Sequence, residues 1–581
     1  MATVEEVRSQ LTAPGGMFEI VTETVDGIDL QVYKERLASL RAIPELSLLR
    51  GDQTFLQHGD ERWSFTRFIE TANGVGHALR APVTEGGAGV GHGDRVAVLS
   101  QNNPEWCLTF WGTVTGGAIL VGLNGWWKAD EVVYGLQDSG AKVLVADRKR
   151  FERIADQLGE CPEIERVYLV GCAPSDFADA VGADNVDKLR RYDELTGSPT
   201  AEFLDTPIDE DDTAVIFYSS GTTGKPKGIM STHRNMIANL QNTIFNSVAG
   251  SMTGGGAIPD GGDAQTVSLF TSPLFHVSGC HSTLVVGMLA GLKLVMPVGK
   301  FEPQDALRII EDEQVNVWAT VPTMIWRVCE HPDRHDFDTS SVTSVAFGGS
   351  PSADELQRKV HDTFPNVKTT SNAYGLTESS SVATVNTGQG AIDKPTSVGP
   401  PVPTVEVQVI DAAGDPVPTG EVGEICLKGP IIMKGYWDKP EATAETLVDG
   451  WLRTGDIGYV DDEGFVFITD RKKDMIIRGG ENIYCVEIEE RLVSHPEVAD
   501  AAVYGVPHPE LGEEVKATVQ LESGSALSEA DVRQWVAEGL ANFKVPAHLD
   551  LTTDKLPRNA SGKLLKNALR GEGVVSFEET M

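Results

Sequence analysis

From about residue 94 the chain alternates short apolar runs with helix-compatible stretches. That alternation restricts it to folds built from parallel strands covered on both faces. Asp94–Leu99 reads as a strand, Pro104–Trp111 as a helix opened by proline, and Ala118–Val121 and Lys142–Val145 as further strands. A second series follows at Thr266–Thr271, Leu292–Pro297, Asn316–Val321 and Ser344–Gly348. The expected class is therefore α/β, with a large N-terminal domain of two stacked βα-layered sheets. Between the two series, Ala249–Asp263 is rich in glycine and poor in apolar residues, and reads as a mobile loop.

After Gly399 the character changes to short strands punctuated by turns, Val405–Ile410 and Gly423–Lys428 among them, which predicts a small β-rich subdomain over about 400–470. Beyond Asp470-Arg-Lys-Lys-Asp474 roughly a hundred residues carry their own helices (Val486–Ser494, Ser528–Ala537) and strands (Asp500–Tyr504, Val515–Leu521), the size of a separate domain. The expected division is 1–471 and 472–581, the second unit being α+β.

Acidic residues outnumber basic ones 85 to 48, and the net charge of −37 argues against a nucleic-acid partner. Any anionic ligand must be held by local groups. Seven scattered cysteines without a CxxC pair fit a reducing cytoplasm and mostly buried thiols. The N-terminus lacks the basic and apolar regions of a signal peptide. Thr283–Met296 is interrupted by Lys293 and too short to span a bilayer, so it reads as a buried helix followed by a strand. No transmembrane segment is expected, while peripheral contact with lipid stays open.

Local groups able to hold an anion occur at Tyr218-Ser-Ser-Gly-Thr-Thr-Gly-Lys-Pro-Lys-Gly228, where four hydroxyls, three glycines and two lysines follow the apolar run Ala214–Phe217. Glycines let backbone N–H groups approach an anion, and hydroxyls and ammonium groups add donors and charge. It is not a Walker A loop: no glycine stands five residues before Gly224, and Pro226 occupies the place of the magnesium-binding hydroxyl. A flexible linker of this composition is the competing reading.

Phe347-Gly-Gly-Ser-Pro351, Tyr374-Gly-Leu-Thr-Glu378 and Trp451-Leu-Arg-Thr-Gly-Asp456 follow in that order. Gly420-Glu-Val-Gly-Glu-Ile425, Lys434-Gly-Tyr-Trp437, Asp470-Arg471, Gly479-Gly-Glu-Asn482 and Pro557-Arg-Asn-Ala-Ser-Gly-Lys563 complete the pattern. Together these motifs resemble the adenylate-forming family of acyl-CoA synthetases, firefly luciferase and peptide-synthetase adenylation domains, over about residues 50–566.

The resemblance implies that Ser219, Ser220, Gly221, Thr222, Thr223, Gly224 and Lys227 hold the β- and γ-phosphates of ATP, and that Gly348, Gly349 and Tyr374 enclose the adenine. Thr377 would bond a phosphate, and Glu378 would hold Mg²⁺, a hard cation suited to carboxylate oxygen. Asp456 would accept both ribose hydroxyls and Arg471 would contact the same nucleotide. Lys563 would be the catalytic cation, neutralising charge as a carboxylate attacks the α-phosphorus; a solvated lysine within the basic set Lys555, Arg558 and Lys566 is the bland alternative.

His276 would face the acyl site. Amino-acid-activating relatives usually carry aspartate there, so histidine argues for an acid without an α-ammonium group; a histidine packed at a strand end is the alternative. The expected acyl pocket draws on Phe275, Val277, Phe347, Leu376 and the stretch from Val321 to Trp326. It offers no cation for a second carboxylate, which favours a lipid-like monocarboxylic acid, a fatty acid first and a steroid-type acid next. Lys473 occupies the family's hinge position, about which the terminal domain would swing to bring in Gly479, Gly480 and Glu481 for transfer to coenzyme A. Two departures stand out: Ile477 replaces a lysine found in some relatives, and Ser219-Ser220 replaces the commoner Ser-Thr. The reaction so implied is AMP-forming acyl-CoA ligation. Loading of a carrier protein, a luciferase-like oxygenase and a non-catalytic nucleotide-binding homologue are the alternatives, and dimerisation is a family expectation only.

Overall fold

Val96, Ala97, Val98 and Leu99 are each completely buried, as a strand must be when helices cover both faces of its sheet. In the computed structural model, which describes residues 4–219, 225–253, 265–348, 354–478, 481–558 and 564–571, this strand lies inside an eight-stranded sheet. Its order is Gly435–Tyr436, Lys227–Thr232, Thr213–Ser219, Ile119–Gly122, Arg95–Leu99, Val143–Asp147, Arg166–Val170 and Leu189–Arg191. The last six run parallel and the first two are antiparallel additions. The helix Pro104–Val114 starts where expected, with proline in its first turn and the Asn103 side chain accepting the Trp106 N–H at 2.8 Å.

The second series also forms an eight-stranded sheet, in the order Ser381–Asn386, Thr369–Leu376, Ser344–Gly348, Val317–Thr320, Val267–Leu269, Lys293–Met296, Thr54–His58 and Glu61–Ser64. A shared apolar core that includes Phe65, Phe68, Trp106, Trp111, Met236 and Leu284 joins helices of both layers. Strand pairs Glu406–Ile410 and Gly423–Lys428 belong to a five-stranded sheet with Trp451–Val460, Leu447–Val448 and Val466–Arg471. A second five-stranded sheet, containing Val498–His508 and Gly512–Leu521, packs on helices Cys485–Val493 and Glu529–Gly539.

Three features depart from the sequence reading. The supposed loop from Ala249 begins as helix, since His233–Met252 continues through it on an apolar face that buries Phe245 and Ala249 against Phe18 and Tyr33; 254–264 lie outside the described residues. The N-terminal segment contributes Thr54–His58 and Glu61–Ser64 to the second sheet, far in sequence from the strands they join. The two residues Gly435–Tyr436 close the edge of the first sheet. Thr283–Met296 is helix then strand as expected, except that its start is a π-helix, Cys280–Val285. All seven cysteines are free and six are buried. Among the described residues no helix is long and apolar enough to cross a membrane.

Candidate active site

Ser219 ends one strand and Lys227 begins the next, and the two are antiparallel partners. The phosphate-loop motif is thus the connection of a β-hairpin, which separates it geometrically from a strand-to-helix Walker loop. Ser220, Gly221, Thr222, Thr223 and Gly224 lie outside the described residues. The downstream end is held from several sides. Tyr134 donates its hydroxyl to the Pro226 carbonyl at 3.0 Å, the Lys225 ammonium sits 4.7 Å from the Tyr134 ring centre, and Lys227 sits 4.7 Å from that of Tyr436. Beneath them Asp138 accepts from Tyr218 at 2.9 Å and from Lys439 at 2.5 Å. Tyr134, Asp138 and Lys439 escaped the sequence reading, and Tyr436 entered it only as a motif member, because their roles arise only from contacts across elements.

The strand Thr369–Leu376 delivers Tyr374, Leu376 and the turn Thr377–Ser379 to the end of the second sheet. Tyr374 donates to Asp456 Oδ2 at 2.7 Å, and Arg471 Nε lies 2.5 Å from Asp456 Oδ1. These three expected nucleotide contacts therefore meet in one cluster. Both Asp456 oxygens already accept a bond, but each retains a lone pair for a hydroxyl donor. Asp456 and Arg471 are themselves cross-strand partners, which is why residues fifteen apart come together. The adenine-side Gly348 ends its strand at a close approach, since a Cβ there would fall 2.6 Å from the Ala373 carbonyl oxygen. Gly349 lies outside the described residues.

Glu378 accepts a hydrogen bond from Tyr436 at 3.2 Å. Burial raises its carboxyl above the ordinary range, partly offset by its hydrogen bonds and by the charge of Arg471. With Leu376, Glu424, Tyr436, Thr454 and Lys472 it lines a cleft of about 350 Å³. Glu424, given no role in the sequence reading, accepts from the Gly455 N–H at 3.1 Å and pairs with Lys472 at 3.0 Å. Among the described residues no group of three or more potential ligands could cage a metal. A single half-buried carboxylate beside Thr377 fits an ion completed by phosphate oxygens and water, the usual manner of magnesium.

At the expected acyl-site position, His276 Nδ1 lies 3.1 Å from Ser278 Oγ and caps the short helix Val277–Gly279. Burial lowers its pKa to about 4, so it is neutral at pH 7 and presents no fixed charge. Phe275 meets Trp126 edge to face at 5.2 Å, and Val277 is buried. Phe347 is a correction. It packs with Val345, Trp318 and Leu356 in the core of the second sheet, because alternate strand residues face opposite sides and Ser344, Ala346 and Gly348 take the other face. Leu376 lines the Glu378 cleft and packs toward the β-rich subdomain.

Lys473 lies exposed in a turn closed by the Asp474 and Met475 N–H groups on the Arg471 carbonyl, both at 2.9 Å. That turn joins the strand Val466–Arg471 of one sheet to Ile476–Arg478 of the next. Asp470 accepts the N–H of Cys485, at the start of the first C-terminal helix. Gly479, Gly480 and Lys563 lie outside the described residues, and Glu481 falls in a short strand, Glu481–Ile483. Two members of the basic set near Lys563 are paired: Lys566 bonds Glu489 at 2.8 Å and Arg558 bonds Asp500 at 2.6 Å.

The family model described as AMP-binding enzyme matches residues 48–437, and that of the AMP-binding enzyme C-terminal domain matches 487–563. The chain belongs to the AMP-binding enzyme family. This AMP-binding enzyme is 34% identical over 518 residues to a feruloyl-CoA synthase of Amycolatopsis sp, covering 89% of the chain and 95% of the relative. It is 32% identical over 500 residues to a long-chain-fatty-acid–CoA ligase of Bacillus subtilis, covering 83% and 86%. The solved structure of ATP-bound MatB from Rhodopseudomonas palustris superposes with a TM-score of 0.79 at 28% identity, covering 92% of this AMP-binding enzyme and 99% of that chain.

Proposed function

We propose that this AMP-binding enzyme is an acyl-CoA ligase that converts a lipid-like monocarboxylic acid, ATP and coenzyme A to acyl-CoA, AMP and pyrophosphate. The observation that carries the reading is the convergence of Tyr374, Asp456 and Arg471 beside Glu378 at the end of the second sheet. A nucleotide needs that combination of aromatic face, hydroxyl acceptor and cation.

In this reading Ser219, the loop 220–224 and Lys227 grip the β- and γ-phosphates, with Lys225 and Lys227 leaving their aromatic rests to meet the added charge. Asp456 orients the ribose and Tyr374 flanks the base. Thr377 would bond a phosphate and Glu378 would hold Mg²⁺, which supplies charge neutralisation on the phosphates. A carboxylate oxygen of the acid attacks the α-phosphorus and pyrophosphate leaves, while Lys563 offsets charge on the attacking and bridging oxygens. The terminal unit then swings about Lys473. The coenzyme A thiol loses its proton and attacks the acyl carbonyl, and AMP departs. An acyl phosphate anhydride makes this possible because a free carboxylate is a poor electrophile.

Neutral His276 and apolar Phe275 and Val277 support an uncharged acyl group. Fatty acids come first, steroid-type acids next and aryl acids behind; the feruloyl-CoA synthase relative supports keeping aryl acids in the trial set. The test supplies the purified protein with Mg·ATP and fatty, steroid and aryl carboxylates, with and without coenzyme A, and reads products by mass spectrometry. Acyl-CoA and AMP formed only with coenzyme A support the proposal. Acyl-adenylate that accumulates regardless of coenzyme A points to a carrier protein, and an absence of nucleotide turnover with every acid overturns the reading.

A further inference from the structure

The four residues Thr377-Glu378-Ser379-Ser380 turn the chain between the strands Thr369–Leu376 and Ser381–Asn386. Ser380 and Ser381 have φ of +50° and +119°, conformations that L-residues avoid and that persist only where their surroundings enforce them. Both are buried. Ser379 Oγ accepts the Leu376 N–H at 2.9 Å and bonds the Ser381 carbonyl at 3.0 Å, and Ser380 Oγ bonds Ser231 Oγ at 3.0 Å.

The remaining restraints come from the acyl side. His281 Nδ1 lies 3.0 Å from the Ser380 carbonyl and Ser282 Oγ 2.5 Å from Ser381 Oγ. A carbonyl can only accept, so Nδ1 carries the proton of a neutral ring. Burial lowers the ring's pKa to about 4. The ring stacks on Phe217 at 5.4 Å and is 1% exposed. Both residues sit on the π-helix Cys280–Val285, which starts four residues after His276. Interruptions of this kind concentrate at functional sites.

We propose that His281 is a positioning residue for Thr377 and Glu378. Its Nδ1–H clamps the strained serine turn, so the segment lining the acyl side and the turn presenting the carboxylate move as one body. The assignment rests on the reading of Glu378 and Thr377 as the Mg·ATP-facing pair. It adds a residue outside the motifs that carry the family resemblance.

The test titrates Mg²⁺ at fixed ATP and follows two signals, the rise in melting temperature and the rate of pyrophosphate release with a saturating acid. His281→Phe keeps the stack on Phe217 and removes the donor; His281→Gln keeps an N–H donor; Ser282→Ala removes the neighbouring bond. For His281→Phe the half-saturating Mg²⁺ is expected to rise about tenfold in both signals, the lower end of what losing a direct partner of a metal ligand costs, because His281 acts on Glu378 through Ser380. Acid KM should stay within about twofold, His281→Gln should recover most of the loss, and Ser282→Ala should shift the same way by less. An unchanged Mg²⁺ curve for His281→Phe overturns the proposal, as does equal impairment of the Phe and Gln variants or a loss confined to acid KM. Should His281→Phe fail to fold, Ser282→Ala decides alone: a rightward Mg²⁺ shift supports the clamp and an unchanged curve overturns it. Wild-type protein without any Mg·ATP response would instead strike at the proposed function.

Discussion

Asp470 accepts the backbone N–H of Cys485, so a buried carboxylate at the end of one sheet caps the first helix of the next structural unit. Burial raises Asp470 to about 6, against the pull of Lys566 and two backbone N–H groups. Folded protein therefore binds this proton more readily than the unfolded chain does, and stability from this group falls as pH rises from about 4 to about 6. Asp470→Asn keeps an acceptor and removes the titration. Melting temperatures from pH 4 to 7 should show the variant gaining on wild type as pH increases; parallel curves would refute the assignment.

Three buried histidines act in the opposite sense. His233, His276 and His281 are each lowered to about 4 by burial. The unfolded chain takes up these protons first, so stability is lost as pH falls from about 6.5 to 4. Each shift is worth roughly 3 kcal/mol at most, and three such groups outweigh one aspartate. A melting temperature that drops across this window is expected. His233→Gln should shallow the drop by about a third, and an unchanged slope would remove His233 from the account.

Replacing Lys563 with alanine should cut acyl-adenylate formation by about 10²- to 10³-fold, as loss of a group aimed at transition-state charge does. ATP affinity, read by calorimetry, should change little. Equal loss of binding and turnover would place Lys563 in ground-state recognition instead.

Tyr134→Phe removes the hydroxyl shared between the Pro226 carbonyl and Asp138 while keeping the ring beneath Lys225. A few-fold rise in KM for ATP is expected with KM for the acid unchanged, since about 1 kcal/mol of positioning is lost at the phosphate side alone. Steady-state kinetics with each substrate varied would check this.

Gly122→Ala would put a Cβ 2.3 Å from Phe217 and 3.3 Å from the Phe275 backbone. Overpacking of that kind costs about 1–3 kcal/mol. Chemical denaturation should show it, and because Phe217 carries His281, pyrophosphate release should slow as well.

The sheets were readable because their strands are local apolar runs: Arg95–Leu99, Val143–Asp147 and Ser344–Gly348 fall within a residue or two of expectation. The motif residues Tyr374, Asp456 and Arg471 were readable as a set, though nothing in the sequence announced that they bond one another. Phe347 was misplaced because strand alternation, not proximity to Gly348, decides which face a side chain takes. His281, Tyr134 and Asp138 could not be read at all, and Glu424 stood in a quoted motif without a role. Each acts on a partner about 30 to 100 residues away in the chain, and no local pattern encodes such a contact.

The pair Gly435–Tyr436 caps the hairpin strand Lys227–Thr232 from two hundred residues downstream. A recombinant fragment ending before residue 435 would bare that strand's backbone donors and acceptors along an open margin. Such margins recruit one another, so a shortened product ending there would self-associate through the very strand that carries the proposed phosphate loop.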